Sequence, residues 1–489
     1  MIQRDKPLST SLFAAIVAAL LPCVGGLIVA FYLTGDESLL VIAGGFGSLL
    51  VLLAPQVRAR AYDLFQPLTF ITLSVFIGMA ARTLYVVLVD DATTRDYLLL
   101  GRSPEYLMDA AILVMVALAF FVVGYSVTPP RVDLARWRLL RHHEWRPRRL
   151  ALLVVVLVVT ACISIALYLD RMGIEALTFA ELSAKRRLVV QGAQYEFAAL
   201  GYYLWGANLL AYAFYLLLTY VVVTNKRLIS WPGIAALFLG ATSAVLPIIT
   251  SSRTEALIPV VYAALIWHYL RSSIKASSLV LLLVAALSGV IMLGSLRALN
   301  QGRVNAIGDY FGIEAILGTR HWLDVTKTAH ILDAVPEREG YQFGSTLVSW
   351  VFAPIPRTLW LEKPIIRPGQ IIGQVIYEGQ FVKTGVPPGF IAELYWNFGY
   401  PGAAIGMFLL GVWLRFVYNT FRAHFRQNQN ALLLYVGIMV PFALLLLGGD
   451  LSGTVLRAGT YTITMVVLLS LVSTSRKARP AAPDDAAAR

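Results

Sequence analysis

Apolar residues in this chain come in runs of roughly twenty, the length that carries an α-helix across the hydrocarbon core of a bilayer, and short charged turns separate them. The runs fall at about 12–33, 39–53, 67–89, 110–127, 150–169 and 197–223. A tight pair follows around Thr250–Glu255, then runs at about 277–296, 389–413, 431–447 and 455–472. This pattern predicts an all-α polytopic membrane protein of about twelve transmembrane helices. The first run is too long for a signal-peptide core and shows no clear cleavage site, so it reads as an uncleaved span bent by Pro22, Gly25 and Gly26. One large hydrophilic insert, 297–388, separates the ninth and tenth runs. The expected organisation is a single transmembrane domain over 1–473, with a polar, proline-containing tail at 474–489 that is too poor in apolar residues to order itself. No internal repeat is visible.

Composition sharpens this picture. The chain is 489 residues long, 58% hydrophobic and 14% charged, with a mean hydropathy of +0.71. Soluble domains are about half apolar and a quarter charged, so a soluble enzyme is excluded. The net charge of +12 matters less than its placement. The loop Arg131–Arg149 is the most basic of all, and the positive-inside bias assigns it to the cytoplasm. The alternate loops are then also rich in Arg and Lys. Both termini fall inside, while the insert and the Arg253 hairpin face outward. Cys23 and Cys162 both lie in apolar runs and argue neither for a disulfide framework nor for a metal site. No nucleic-acid module is present, and the expected contacts of the charged loops are membrane lipids.

Outward cations run against the positive-inside bias, so they carry information. The stretch Gly344–Gly402 gathers Arg357, Lys363 and Arg367 among proline clusters, with Trp350, Trp360, Tyr377, Tyr395 and Trp396 interleaved. Prolines fix the backbone without a regular helix or strand, and guanidinium groups hold phosphate bidentately. The stretch suits a sugar on a phosphate-bearing lipid; an ordered loop with interfacial anchors is the alternative. Arg253 opens the eighth run, where a helix N-terminus offers free N–H groups to an anion, although Ser252–Glu255 is equally a capping box that starts a helix. Arg297 and Arg320 are further outward cations. Residues Glu314–Asp333 have helical spacing, with Trp322, Val325, Ala329 and Leu332 on one stripe and Arg320, Asp324 and Lys327 on another face. Such a helix would lie flat on the membrane. His321 could act as a general base, or be a surface histidine without a role. Glu393 stands about one turn into the tenth run with Asn397 on the same face. It either orients a sugar hydroxyl or stabilises the helix start. No His/Cys/Asp cluster has metal-ligand spacing, and neither an Asp-x-Asp motif nor a glycine-rich phosphate loop occurs, so no cofactor is expected.

Four stretches resemble one family: SSRTEAL (Ser251–Leu257), PIPRTLWLEKP (Pro354–Pro364), the approach Gly385–Gly389, and ELYWNFGYPGAAIGMFLLG (Glu393–Gly411). In these, and in many spans with one large late external loop, the chain is similar to bacterial O-antigen or oligosaccharide repeat-unit polymerases of the Wzy type. The likeness in motifs covers mainly the second half; the first half matches in hydropathy. The resemblance implies a metal-independent, glycosyltransferase-C-like enzyme of the bacterial cytoplasmic membrane, working on its outer face. Such an enzyme moves a growing glycan from undecaprenyl pyrophosphate onto a new lipid-linked repeat unit, so donor and acceptor are both undecaprenyl-pyrophosphate-linked oligosaccharides. A chain-length-regulating co-polymerase is a compatible partner. By matching motif positions, Arg253, Arg357 and Glu393 are carried over as site residues. Arg297, Arg320, Lys363 and His321 join them on position and chemistry, as do Trp360, Tyr377, Tyr395, Trp396 and Asn397 as sugar contacts. A ligase of the O-antigen type has a similar architecture. A flippase of lipid-linked sugars would place ionisable groups near the mid-membrane; here they gather at the outer ends, with Arg82 a partial exception.

Overall fold

The protein was analysed as a computed structural model that describes residues 10–57, 63–88, 105–130, 132–140, 143–173, 200–249, 253–275, 324–355, 386–425 and 428–475, with shorter pieces at 277–292 and 359–372 and Leu317. Its helices, in chain order, are α1 (Thr10–Thr34), α2 (Glu37–Val57), α3 (Pro67–Leu88), α4 (Tyr106–Ser126), α5 (Pro147–Arg171), α6 (Gly201–Val223), α7 (Trp231–Ile249), α8 (Arg253–Leu270), α9 (Val325–Ala334), α10 (Phe390–Arg422), α11 (Gln429–Leu445) and α12 (Leu451–Val472). Among the described residues, eight helices are long and apolar enough to cross a membrane: α1 to α6, α10 and α12. Three shorter apolar helices stand where the seventh, eighth and eleventh runs were expected, at Trp231–Pro247, Glu255–Leu270 and Gln429–Leu445. The expected ninth run is only partly described; residues 277–282 are helical. The architecture is therefore that of an all-α membrane protein.

Helices α4 and α10 form the central pair. Gly124 and Gly411 face the partner backbone at Phe408 O and Phe121 O, so closely that a Cβ at either position would collide with a carbonyl. Small residues at such crossings let two helices approach without a hydrophobic driving force. Helices α1 and α5 lie outside this pair, with most of their side chains unburied. Two π-turns interrupt the spans, Phe76–Ala81 within α3 and Pro441–Leu445 at the end of α11. They sit against each other's helices, with Ser74 Oγ donating to Leu444 O at 3.4 Å.

Contacts sort the loops into two sets at opposite ends of the bundle. At one end the strand His143–Trp145 pairs antiparallel with Ser473–Ser475. Beside it Trp145 Nε1 donates to Asn430 Oδ1 at 2.8 Å. Asp63, just before α3, gathers two helices there, α8 and α10: it accepts from Tyr269 OH at 2.9 Å, Tyr418 OH at 2.8 Å and Arg422 Nε at 3.1 Å. Its other oxygen takes the Phe65 N–H at 3.0 Å and faces His268 Nε2 at 3.8 Å. At the opposite end Glu255 pairs with Arg457 at 3.0 Å. The segments 342–346, 386–389 and 447–451 also converge there.

One expectation fails. The helix over Glu314–Asp333 was to lie flat on the membrane, with Asp324 and Lys327 on a polar face. Instead α9 is buried along its length, packed on α4 and α10, and Asp324 and Lys327 are as covered as Val325 and Ala329. Residues 314–323 of the expected helix, apart from Leu317, lie outside the described residues; in the described part Asp324 and Lys327 meet partners inside the bundle rather than water. Asp324 is the N-cap of α9, accepting from Thr326 N at 3.0 Å. It also forms a two-pronged pair with Arg82 of α3, Nε–Oδ1 and Nη2–Oδ2 both 2.9 Å. Charges so buried persist only when paired.

Candidate active site at the start of α10

Two glycines bracket the first segment of α10. Gly389, with φ of 82°, ends the Val386–Pro388 approach. Its N–H reaches Gly449 O at 3.0 Å, and Phe390 N reaches Leu447 O at 3.1 Å, which joins the starts of α10 and α12. The helix then breaks at Phe398 and Gly399. Gly399 has φ 65° and ψ −158°, a conformation essentially restricted to glycine. Pro401 follows and has no N–H to give to Asn397 O. The freed carbonyls are taken by the insert: Gln342 N donates to Trp396 O at 3.1 Å and Phe343 N to Asn397 O at 3.2 Å. The Asn-Phe-Gly centre is thus the place where the insert docks into the bundle.

Asn397 and Glu393 organise what lies there. Asn397 Oδ1 accepts from Gly344 N at 2.7 Å, and its Nδ2 donates to Thr346 Oγ1 at 2.8 Å and Glu393 O at 2.7 Å. Glu393 is fully buried. Its Oε2 accepts the Leu451 N–H at the first turn of α12 at 2.8 Å, where a carboxylate meets the positive end of a helix. Its Oε1 lies beside Thr346 with no hydrogen bond of ordinary geometry. Hydroxyls crowd the same place: Ser452 Oγ donates to Thr346 O at 2.7 Å and stands 2.8 Å from Ser349 Oγ. Asp450 caps α12 through Gly453 N at 2.6 Å. A buried polar atom without a partner is rare and calls for an explanation. Here it is a carboxyl oxygen, a group able to take or give a proton.

Two buried cations, Lys327 and Arg82, hold the segments around α9. Lys327 Nζ donates to Pro387 O at 3.2 Å and Gly448 O at 3.4 Å, the two chain breaks that precede α10 and α12. Arg82 holds Asp324 and also donates to Leu317 O. Burial works to raise the Asp324 carboxyl, but the charges of Arg82 and Lys327, with hydrogen bonds from Arg82 and Thr326, outweigh it and hold the group below the usual carboxylate range.

An apolar groove of about 720 Å³ begins at this junction. Leu347 and Leu451 flank its head, beside Thr346 and the amide that binds Glu393. Leu394, Ile405, Leu409 and Trp413 carry it along α10, with Phe442 of α11 opposite. The groove follows α10 from Phe390 across the break at Phe398 and Gly399 to Trp413.

The structure brings Glu393, Tyr395, Trp396 and Asn397 into this one junction, all buried. Tyr395 OH donates to Val335 O at 3.4 Å, and Trp396 Nε1 has no partner. Trp360 stands apart and partly exposed, edge-on to Phe352 at 5.5 Å. Lys363 is buried and donates to Ala353 O at 3.2 Å and Ile355 O at 2.6 Å, which ties its own loop together. Arg253 heads α8, but its side chain lies outside the described residues, as do Arg297, Arg320, His321, Arg357 and Tyr377. Among the described residues no group of three or more His, Cys, Asp or Glu could hold a metal ion. Sequence reasoning named Lys327 only on the polar face of a surface helix, and passed over Thr346, Ser349 and Ser452. The signal available for Ser452 was Gly448-Gly449-Asp450, a break between apolar runs that ends in an N-capping residue. Compared with models of known protein families, with curated proteins and with solved structures, the chain gives no match.

Proposed function

We propose that the protein polymerises lipid-linked oligosaccharide repeat units into a surface polysaccharide, by glycosyl transfer on the outer face of the bacterial cytoplasmic membrane. The observation that carries this reading is the buried Glu393 carboxyl, with Oε1 outside any ordinary hydrogen bond, next to Leu394 and Leu451 of an apolar groove that follows α10 from Phe390 to Trp413. A substrate of that reactivity and shape has a sugar hydroxyl at one end and a long hydrocarbon chain at the other. The resemblance of Glu393–Gly411 and Pro354–Pro364 to Wzy-type polymerases supports the same class and supplies undecaprenyl pyrophosphate as the carrier. In this reading the end that holds the Arg131–Arg149 loop faces the cytoplasm. Glu393 accepts the proton of the acceptor hydroxyl. Arg253 and Arg357 neutralise the pyrophosphate as the glycosidic bond to it breaks, a stabilisation that needs fixed cations and no metal. Arg297, Arg320, His321 and Lys363 flank them, and Trp360, Tyr377, Tyr395, Trp396 and Asn397 supply stacking faces and hydrogen bonds for the glycan.

A second reading, a flippase of lipid-linked sugars, is favoured by one observation. Arg82, Asp324, Lys327 and Glu393 are ionisable and buried together within the bundle, as a transport path would place them. A gel of surface glycans from cells lacking the gene separates the readings. Single repeat units with the ladder gone support a polymerase. Finished polymer stranded on its lipid carrier indicates a ligase, and repeat units held on the cytoplasmic face a flippase. In complemented cells Arg253→Ala and Arg357→Ala are expected to abolish the ladder at unchanged protein level; a ladder of normal length in both overturns the assigned site.

A further inference from the structure

We propose that Lys327 is the positioning residue that holds the Glu393 carboxyl in place, an inference that rests on the reading of Glu393 as the acceptor's base. Lys327 is 2% exposed. It stands in the first turn of α9, three residues after the cap Asp324, and Arg82 fixes that cap to α3. Its stem therefore leaves a rigid platform. Its ammonium reaches Pro387 O and Gly448 O, which belong to different segments. Those segments are themselves cross-linked by Gly389 N to Gly449 O and Phe390 N to Leu447 O.

Each segment continues directly into one half of the Glu393 contact. From Pro387 the chain passes through Gly389, whose carbonyl accepts the Glu393 N–H at 2.9 Å. From Gly448 it passes to Leu451, whose N–H binds Glu393 Oε2. One buried cation thus fixes both the helix turn that carries the carboxyl and the amide that orients it. An ammonium suits this task, because it offers three donors on a compact head and can serve two carbonyls at once. A neutral apolar side chain would leave both carbonyls without it and let the breaks at 386–389 and 447–450 part. Lys327 touches no reacting atom in this scheme; it acts through Glu393.

The test uses the full-length protein in lipid nanodiscs, read by amide hydrogen exchange and by turnover of a lipid-linked repeat unit. Lys327→Met is expected to speed exchange at Gly389, Phe390 and Leu451 roughly tenfold or more. It should lower kcat about tenfold while KM changes little, the signature of a misplaced catalytic group. Lys327→Arg, which keeps charge and donors, should recover most of both. Should Lys327→Met fail to accumulate, Lys327→Gln is read in the same way. Unchanged protection at those three amides overturns the inference, and so does a normal kcat in Lys327→Met where Glu393→Gln abolishes turnover. If Glu393→Gln retains full turnover, the functional reading of Glu393 falls instead, and the exchange data alone decide whether Lys327 holds the junction.

Discussion

Two carboxylates tie this bundle together, one at each end, and they do so differently. Asp63 accepts from two tyrosine hydroxyls, an arginine and a backbone amide, with an imidazole close by. Both of its oxygens are served, and it is partly reached by solvent. Glu393 also joins two helices, but it is fully buried, uses one oxygen on Leu451 and leaves the other without a partner. A satisfied carboxylate among donors is a staple. A desolvated one with an oxygen outside any ordinary hydrogen bond is costly to keep, and the proposed catalytic role gives a reason for keeping it. The surroundings differ too: the Glu393 end has the glycine-only kink at Gly399, the insert docked on freed carbonyls and the apolar groove along α10.

Exchanging the two amides tests this contrast most sharply. Glu393→Gln keeps an acceptor for Leu451 N–H, so the fold should persist while turnover falls roughly 100-fold or more, the scale of a lost general base. Asp63→Asn should do the reverse, lowering stability by about 1–3 kcal/mol through a broken charged network and leaving turnover of the folded fraction intact. Thermal unfolding and single-turnover assays on both proteins read this directly; equal effects on turnover would dissolve the distinction.

Arg82→Met comes next. Removing one partner of a fully buried pair leaves Asp324 unpaired and should cost about 3–5 kcal/mol, measured by unfolding in detergent. Its pH dependence has a definite sign. The Asp324 carboxyl lies below its unfolded value, so the pair's contribution is complete above about pH 4, the unfolded carboxylate value. It is lost as pH falls through the folded-state value. Wild-type protein should therefore lose stability on acidification below that point, and Arg82→Met should flatten this loss. The smallest effect is expected in the groove. Leu409 is largely exposed and lines its wall, so Leu409→Trp narrows it without touching the core. KM for the lipid-linked substrate should rise about tenfold with kcat retained, and a change in kcat alone would detach the groove from substrate binding.

Much of this was legible along the chain because membrane burial imposes a length and a polarity on each segment separately. The positions of α1 to α6, α10 and α12 follow from apolar runs, since a spanning helix must satisfy its backbone within itself. Glu393, Asn397 and the break at Gly399 stood out for the same reason, being polar or helix-breaking residues where neither is cheap. The family resemblance marked the same stretch.

The fate of α9 could not be read in this way. Its sequence has a charged face, and periodicity alone cannot tell whether that face meets water or the partners Arg82, Pro387 and Gly448. Those partners lie far from it in sequence, from about 60 to more than 200 residues away. Thr346, Ser349 and Ser452 were silent for a like reason: a hydroxyl in a loop or turn is ordinary until a distant segment places a carboxyl beside it. The sequence by itself determined that this is an all-α membrane protein and where most of its membrane helices run, because each such segment answers to the bilayer. Only the tertiary structure decided that Lys327, Asp324 and Arg82 are interior, and that Glu393 has one oxygen bound and one unused, because pairing between distant segments sets the solvation of each charge.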